Sequence, residues 1–345
     1  MKFGPVPVGE SLGGIVAHAV RRDGLVLKKG DTVNASHIAA LQAAGIGEIV
    51  VALLDPGDVG EDSAAKCLAE RIAGQNLRVD RAFTGRANLF AESAGILCLD
   101  ADMVARVNDV DEAVTLATLP AFRTVVAGEM VATVKIIPFA VAGAVLDGAL
   151  AAAGGGRLSI APFKPLAVGV VSTILPGLKT SVVDKTLRVL NDRLRPAGAH
   201  VVADERVPHE TRRLAEVLGK LKDKSDLTIV FGASAITDRR DVIPAAIEAA
   251  GGRIDHFGMP VDPGNLLLIG ELDRKPVLGA PGCARSPKEN GFDWVLHRLL
   301  AGVPVTSADI RRMGTGGLLM EIISRPQPRG GGGPSSDGEP VDDHG

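Results

Sequence analysis

Three neighbouring stretches decide the fold: 226-DLTIVFGASAITDRRD-241, 261-VDPGN-265 and 278-LGAPGCARS-286. Each glycine-containing turn follows or separates a short apolar run. Strands that deliver such turns toward one edge of a sheet make a pocket for a phosphorylated ligand, because glycine lets backbone N–H groups approach an anion closely. Working outward, Leu166 to Ser172 reads as a buried strand, Val182 to Leu194 as a helix, His200 to Ala203 as a strand and Thr211 to Leu221 as a helix. Leu227 to Phe231 is the next strand, followed by a helix over Val242 to Ala250. Strands are expected near Ile254 to Phe257, Leu266 to Ile269 and Pro276 to Leu278, with a helix over Pro287 to Leu300. Alternation of this kind predicts an α/β fold with a mostly parallel sheet and helices on both faces. Ligands of such sheets sit beyond the carboxyl ends of the strands, where the three turns belong.

The first half of the chain reads as a further α/β region. Ser11 to Arg21 and Ser36 to Ala44 read as capped helices, the second stopped by Gly45 and followed by a strand over Glu48 to Leu54. The acidic loop 55-DPGDVGED-62 is expected to be solvated and to cap the helix Ser63 to Gln75. Apolar runs at Ile96 to Leu99 and Val131 to Ile137 look like strands, and Ala140 to Ala152 like a helix of small residues that ends in Gly154, Gly155 and Gly156, the expected hinge. The divisions are residues 1–163 for the N-terminal region, 164–303 for the glycine-turn domain, 304–325 for an extension, and 326–345 for a disordered tail or linker. That tail is rich in Gly, Pro, Ser and acids, a composition that cannot repay the entropy of ordering.

Composition narrows the function. The chain has 345 residues, 46% of them hydrophobic, and a net charge of −3, so it can bury a core of about two domains. With no excess of positive charge and 3% aromatics, it lacks the phosphate contacts and stacking rings of a nucleic-acid groove. The start, MKFGPVPVGES, has no secretory pattern, and the apolar stretch Met130 to Ala153 is broken by Lys135, Pro138 and Asp147, so neither export nor a membrane span is expected. Cys67, Cys98 and Cys283 are odd in number and far apart, which fits a reducing cytoplasm. His209-Glu210 lacks the second histidine of a zinc helix.

The segment from about 166 to 302 resembles the molybdopterin-binding domain shared by molybdopterin adenylyltransferases and molybdopterin molybdotransferases. The resemblance is carried by 168-VGVVSTILPGLKTSVVDKT-186 as the first strand and ligand loop, 226-DLTIVFGASAITDRRD-241 as the Gly-Gly-x-Ser loop ending in Asp, 261-VDPGN-265 as the Pro-Gly turn, and 278-LGAPGCARS-286 as the final loop. Departures stand beside it. Gly232-Ala233 replaces a glycine pair, with one residue inserted, and Asp262 and Asn265 stand where the family has lysines. PGCARS replaces Pro-Gly-Asn-Pro, and the molybdotransferase's first-loop Thr-Gly-Asp-Glu is absent. The stretch 27-LKKGDTVNASHIAALQAAGIGEIVV-51 looks like the unit that precedes this domain in molybdotransferases, but roughly 110 residues intervene here. As a whole the chain looks like the molybdopterin-binding half that some bacterial proteins fuse to a cytidylyltransferase-like domain.

The resemblance implies a pterin ligand held by Ser172, Thr173, Gly232, Ala233, Ser234, Pro263, Gly264, Pro281, Gly282, Arg285 and Ser286. Lys179 and Lys185 could neutralise phosphate. Asp241 and Asp238 are candidate Mg²⁺ ligands and, with Asp226, candidate catalytic carboxylates. For Asp241 an N-cap role and for Asp226 a loop-ending role stand as alternatives. The implied activities are molybdate insertion or adenylyl transfer on molybdopterin, with Mg²⁺, molybdate and ATP or adenylylated molybdopterin. The alternatives are a non-catalytic carrier for a cytidylyltransferase partner, or a nucleotide pyrophosphatase of the same fold. Self-association into a homo-oligomer is implied as well.

Overall fold

The computed structural model describes residues 1–22 and 24–319, so the expected tail over 326–345 and the end of the 304–325 extension lie outside the described residues. The described residues divide into two compact units, Met1–Pro162 and a second that begins at Phe163.

The second unit is built on one six-stranded sheet. In chain order its elements are β1 (Ala167–Ile174), α1 (Thr180–Leu194), β2 (His200–Pro208), α2 (Thr211–Leu221), β3 (Leu227–Phe231), α3 (Val242–Ala249), β4 (Arg253–Phe257), β5 (Leu268–Leu272), β6 (Lys275–Ala280), α4 (Gly291–Leu300) and α5 (Ser307–Arg312). The strand order is β2-β1-β3-β6-β5-β4. The first four strands run parallel, and β5 and β4 complete the sheet antiparallel. The centre is sequestered on both faces, as the unbroken apolar run Leu227–Phe231 requires: all five residues are buried. The period of two divides them. Ile229 and Phe231 pack with Leu190, Leu194, Phe292, Val295 and Leu296 under α1 and α4, whereas Val230 packs with Leu214, Leu218, Ile243 and Ile247 under α2 and α3. The helices supply matching stripes, Val183, Thr186, Leu190 and Leu194 on α1 and Leu214, Leu218 and Leu221 on α2.

Helix starts differ in a way that bears on the site. Asn290 and Asp293 form a capping box on α4, and Thr306 and Asp309 another on α5. Asp241 caps α3, while α1 and α2 begin without a side-chain cap. The expected helix from Pro287 is corrected to one starting at Gly291. A short 3-10 turn over Gly282–Arg285 and the Asn290 cap take up the preceding residues.

His297 of α4 lies on the core side. Burial is the main reason its imidazole titrates below the ordinary value of 6.5; Asp293 opposes this shift and Arg193 adds to it. The unfolded chain therefore binds this proton first, and stability is lost as pH falls below about 6.5. Unfolding followed by the emission of Trp294, the single tryptophan, should show a loss between pH 7 and 5 of at most about 1.4 kcal/mol per pH unit from this group. His297→Gln should flatten that slope, and equal slopes in both proteins would refute the assignment.

Among the described residues, the first unit is a set of small sheets with four α-helices and a short 3-10 turn over Val8–Glu10. Lys2–Pro7, Glu48–Leu53 and Ile15–Val16 form one antiparallel sheet beside the helix Ala35–Ala43. Val114–Thr118, Met130–Ile136, Arg86–Ala91 and Leu77–Val79 form another, covered by the helix Glu61–Ile72. A third joins Thr124–Val125, Gly95–Cys98 and Ser159–Pro162, with the helices Ala101–Asn108 and Gly143–Ala153 in the same core.

Three expectations for this unit are corrected. Ser11 to Arg21 is not helical: Ile15–Val16 and Val20–Arg22 are strands. Gly13-Gly14 breaks the helical pattern, β-branched residues follow, and a Cβ on Gly14 would stand 2.9 Å from Val51 Cγ2, a close approach that suits a sheet. Ala140–Ala142 is a strand paired with Asp58–Gly60, and the helix starts at Gly143. The acids of 55–62 do not cap the next helix through their side chains. Its N-cap is Gly60, with Glu61 and Asp62 in the first turn, where they favour the helix dipole.

Candidate functional site

The parallel register places the ends of β2, β1, β3 and β6 along one edge of the sheet. From that edge leave 174–180 into α1, 209–210 into α2, 232–241 into α3 and 281–290 into α4. The antiparallel pairing of β5 with β6 sets Leu268 opposite Gly279, so the 261–267 segment reaches the same edge. Ser172, Thr173, Gly232, Ala233, Ser234, Pro263, Gly264, Pro281, Gly282, Arg285 and Ser286 are thus brought to one end of the sheet. Asp226 is not: it precedes β3 at the opposite end and accepts from Ala167 N at 2.9 Å, holding the starts of β3 and β1 together.

The turn after β3 is tied to its neighbours. Thr173 is buried at the end of β1, and its Oγ1 accepts from Ala233 N at 2.8 Å and meets His209 Nδ1 at 2.8 Å. His209 Nε2 faces Ser234 Oγ at 3.5 Å. One hydroxyl therefore joins the ends of three adjacent strands. Gly232 admits no side chain, because a Cβ there would lie 2.6 Å from Ser234 O. Alternation puts buried Ser172 on the other face, with Val170.

Arg285 lies across this turn. Its Nη2 donates to Gly232 O at 2.8 Å, Nη1 donates to Thr186 Oγ1 at 3.1 Å, and the guanidinium stands 5.5 Å from the Phe231 ring centroid. The final loop is anchored from below by Arg193 of α1, which pairs with Asp293 and donates to Ala284 O, Ser286 O and Lys288 O at 2.8, 2.7 and 3.3 Å. Gly264 has φ +145°, and a Cβ would stand 2.8 Å from Gly291 N, so the Pro263-Gly264 turn fits against the start of α4 only as glycine. Pro263 O accepts from Gly291 N at 2.9 Å.

The first loop is the open one. Leu175 to Lys179 turns through Gly177 at φ +89°, Lys179 is exposed, and α1 starts with no side-chain acceptor on its leading N–H groups. Those donors and the positive end of the helix dipole face the edge occupied by Ser234, an arrangement suited to an anion.

The two candidate metal ligands are already engaged. Asp238 Oδ1 accepts from Arg240 N and Nε at 2.8 Å each, and Oδ2 takes Nη2 at 3.4 Å. Those bonds hold its carboxyl below the usual carboxylate range. Asp241 Oδ1 and Oδ2 accept from Val242 N at 2.7 Å and Thr237 N at 3.3 Å, the work of an N-cap. As placed, this pair does not fit Mg²⁺, which needs carboxylate oxygens turned to it. Among the described residues no cluster of three or more His, Cys, Asp or Glu could hold a metal ion. No helix among them is long and apolar enough to cross a membrane.

His209, Thr186 and Arg193 carry no sequence signal as parts of this edge. Their partners lie 36, 99 and 100 residues away, so no local spacing marks them.

The chain is similar to solved structures at low identity. The molybdopterin biosynthesis moeA protein from Pyrococcus horikoshii shares 15% identity over 88% of this chain and 75% of its own, with TM-score 0.31. A molybdenum cofactor biosynthesis protein from Pyrococcus furiosus shares 14% over 88% and 64%, with TM-score 0.26, so this chain spans less than two thirds of that protein's length. The MoaB molybdopterin biosynthesis enzyme from Thermus thermophilus shares 20% over 40% and 98%, with TM-score 0.30. Scores of this size carry no conclusion. A comparison with curated proteins returned no match. Among family models, residues 5–53 match one described as a domain of unknown function, and residues 167–310 match one described as "Probable molybdopterin binding domain". That second match covers less than half of the chain, and it likens the segment 167–310, which holds the six-stranded sheet, to a probable molybdopterin-binding domain.

Proposed function

We propose that the second unit binds molybdopterin along the carboxyl edge of its sheet and that the chain acts in molybdenum cofactor biosynthesis as a holder of that cofactor. The supporting observation is the departure of three turns, 174–180, 232–241 and 281–290, from three neighbouring parallel strands of a domain that matches the molybdopterin-binding family. In this reading the leading N–H groups of α1, with Lys179, receive the phosphate, while Gly232 to Ser234 and Gly282 line the path of the pterin. Pro263 and Pro281 stiffen the rim, which lowers the entropy lost on binding.

Retention is favoured over adenylyl transfer or molybdate insertion by the engagement of Asp238 with Arg240 and of Asp241 with backbone N–H groups. A cytidylyltransferase is the partner this reading calls for.

Anaerobic titration of the full chain with molybdopterin tests the proposal. Ser234 is exposed, so Ser234→Glu should fold normally yet weaken binding by about tenfold or more through like-charge repulsion at the mouth. Unchanged affinity in that variant would remove the site. Incubation of the loaded protein with molybdate, Mg²⁺ and ATP should yield neither metallated nor adenylylated cofactor; either product would replace the holder reading with a transferase.

A further inference from the structure

A second cleft, in the first unit, carries its own chemistry. It has a volume of about 660 Å³ and is lined by Lys29, Arg86, Lys135, His18, Phe139 and Ile137 among others. That size accommodates a small organic molecule rather than a single ion. Glu61 is the one acidic residue lining it, and it is taken up by Lys135 Nζ at 3.4 Å. Lys135 also donates to Thr84 O at 2.6 Å, and both contacts are built over Gly85, where a Cβ would lie 2.7 Å from Lys135 Nζ.

The charge arrangement is costly for a bare surface. Arg86 and Lys135 are directly opposed across two antiparallel strands, and like charges so placed destabilise a sheet. Neither Arg86 nor Lys29 makes an ion pair with any described residue, and both are exposed to the cleft's solvent. An anion beside Arg86 would offset its repulsion from Lys135, and Lys29, which lines the same cleft, would offer a second charge-assisted contact.

Part of the lining is apolar: Phe3, Ala17, Ile137, Pro138 and Phe139. Phe3 and Ile137 are 59% and 58% exposed, and Lys29 Nζ stands 5.7 Å from the Phe139 ring centroid. A chain with nine phenylalanines, one tryptophan and no tyrosine places two of its few rings in this cleft. The exposed ring of Phe3 and the half-buried ring of Phe139, in one cleft with Arg86 and Lys29, suit a planar ring that carries a phosphate.

We infer that this cleft binds a heterocyclic monophosphate, its phosphate between Arg86 and Lys29 and its ring against Phe139 and Ile137. Every residue lining this cleft belongs to the first unit.

Calorimetric titration of the full chain with CMP, AMP and neopterin monophosphate tests the inference and separates a nucleotide from a phosphorylated pterin. At least one should bind with one-site stoichiometry. The double variant Lys29→Gln, Arg86→Gln should lower that affinity by about tenfold or more, as should Ile137→Glu, which leaves every cation in place. Circular dichroism checks that both variants fold, and Ser234→Glu should leave this binding unchanged. The inference is overturned by the absence of saturable binding for all three probes, by wild-type affinity in the folded double variant, or by equal affinity for inorganic phosphate or for the unphosphorylated nucleoside.

Discussion

Arg193→Ala is expected to destabilise the second unit by about 3–5 kcal/mol, because it breaks a buried ion pair and strands its carboxylate. Both side chains of the Arg193 and Asp293 pair are 8% exposed. Asp293 also accepts from Asn290 N at 2.9 Å in the capping box of α4, so losing the arginine leaves a charged cap under a buried helix start. The same guanidinium serves three carbonyls of residues 284–288 and lies 5.9 Å from the Phe292 ring centroid. One side chain therefore fixes both the final loop and the helix that follows it. Trp294, adjacent to Asp293, reports on this unit alone, and its denaturant midpoint should fall with little change in slope. Arg193→Lys should recover only part of the loss, since an ammonium cannot reach all of these acceptors as the planar fork does. A shift below about 1 kcal/mol, the scale of a surface pair, would show that the contact is not the anchor described.

Thr173→Val is expected to affect the ligand more than the fold. Valine keeps the shape but removes the acceptor for Ala233 N and the partner of His209 Nδ1. Leaving one N–H unpaired costs about 1–3 kcal/mol of stability. The turn over 232–234 then loses its tie to β1 and must be ordered by the ligand itself, so molybdopterin affinity should drop by about tenfold or more. Thr173→Ser restores the hydroxyl and should restore binding. Full affinity in the valine variant at reduced stability would make Thr173 a fold residue only.

The core of the second unit is legible in sequence because each strand is short, apolar and followed by its own turn. Leu227 to Phe231, followed by Gly232, needs no other part of the chain to be recognised. Its neighbours in the sheet are harder, yet the alternation of strand and helix restricts them enough to predict a mostly parallel sheet. The ties across the site edge are invisible at that level. Thr173 to Ala233 spans 60 residues and Arg193 to Asp293 spans 100, and neither pair has a periodic signature. Asp238 and Asp241 show the complementary difficulty. Their residue type suits a metal, but only the structure reveals that Arg240 and two backbone N–H groups already occupy them. In the first unit the strands Arg86–Ala91 and Val114–Thr118 are not legible, since short mixed strands take their stability from partners rather than from local pattern. Ser11 to Arg21 fails for the same reason: its hydrophobic residues fit a helix by spacing, while Gly13-Gly14 and the neighbouring strand at Val51 impose a sheet.

Mass spectrometry of the small molecule released from gently purified, anaerobically handled full-length protein tests the central claim most directly. About one equivalent of molybdopterin per chain, lost in Ser234→Glu and kept in Arg86→Gln, is the result this account predicts. Protein that releases no molybdopterin and takes none up when it is supplied would contradict it.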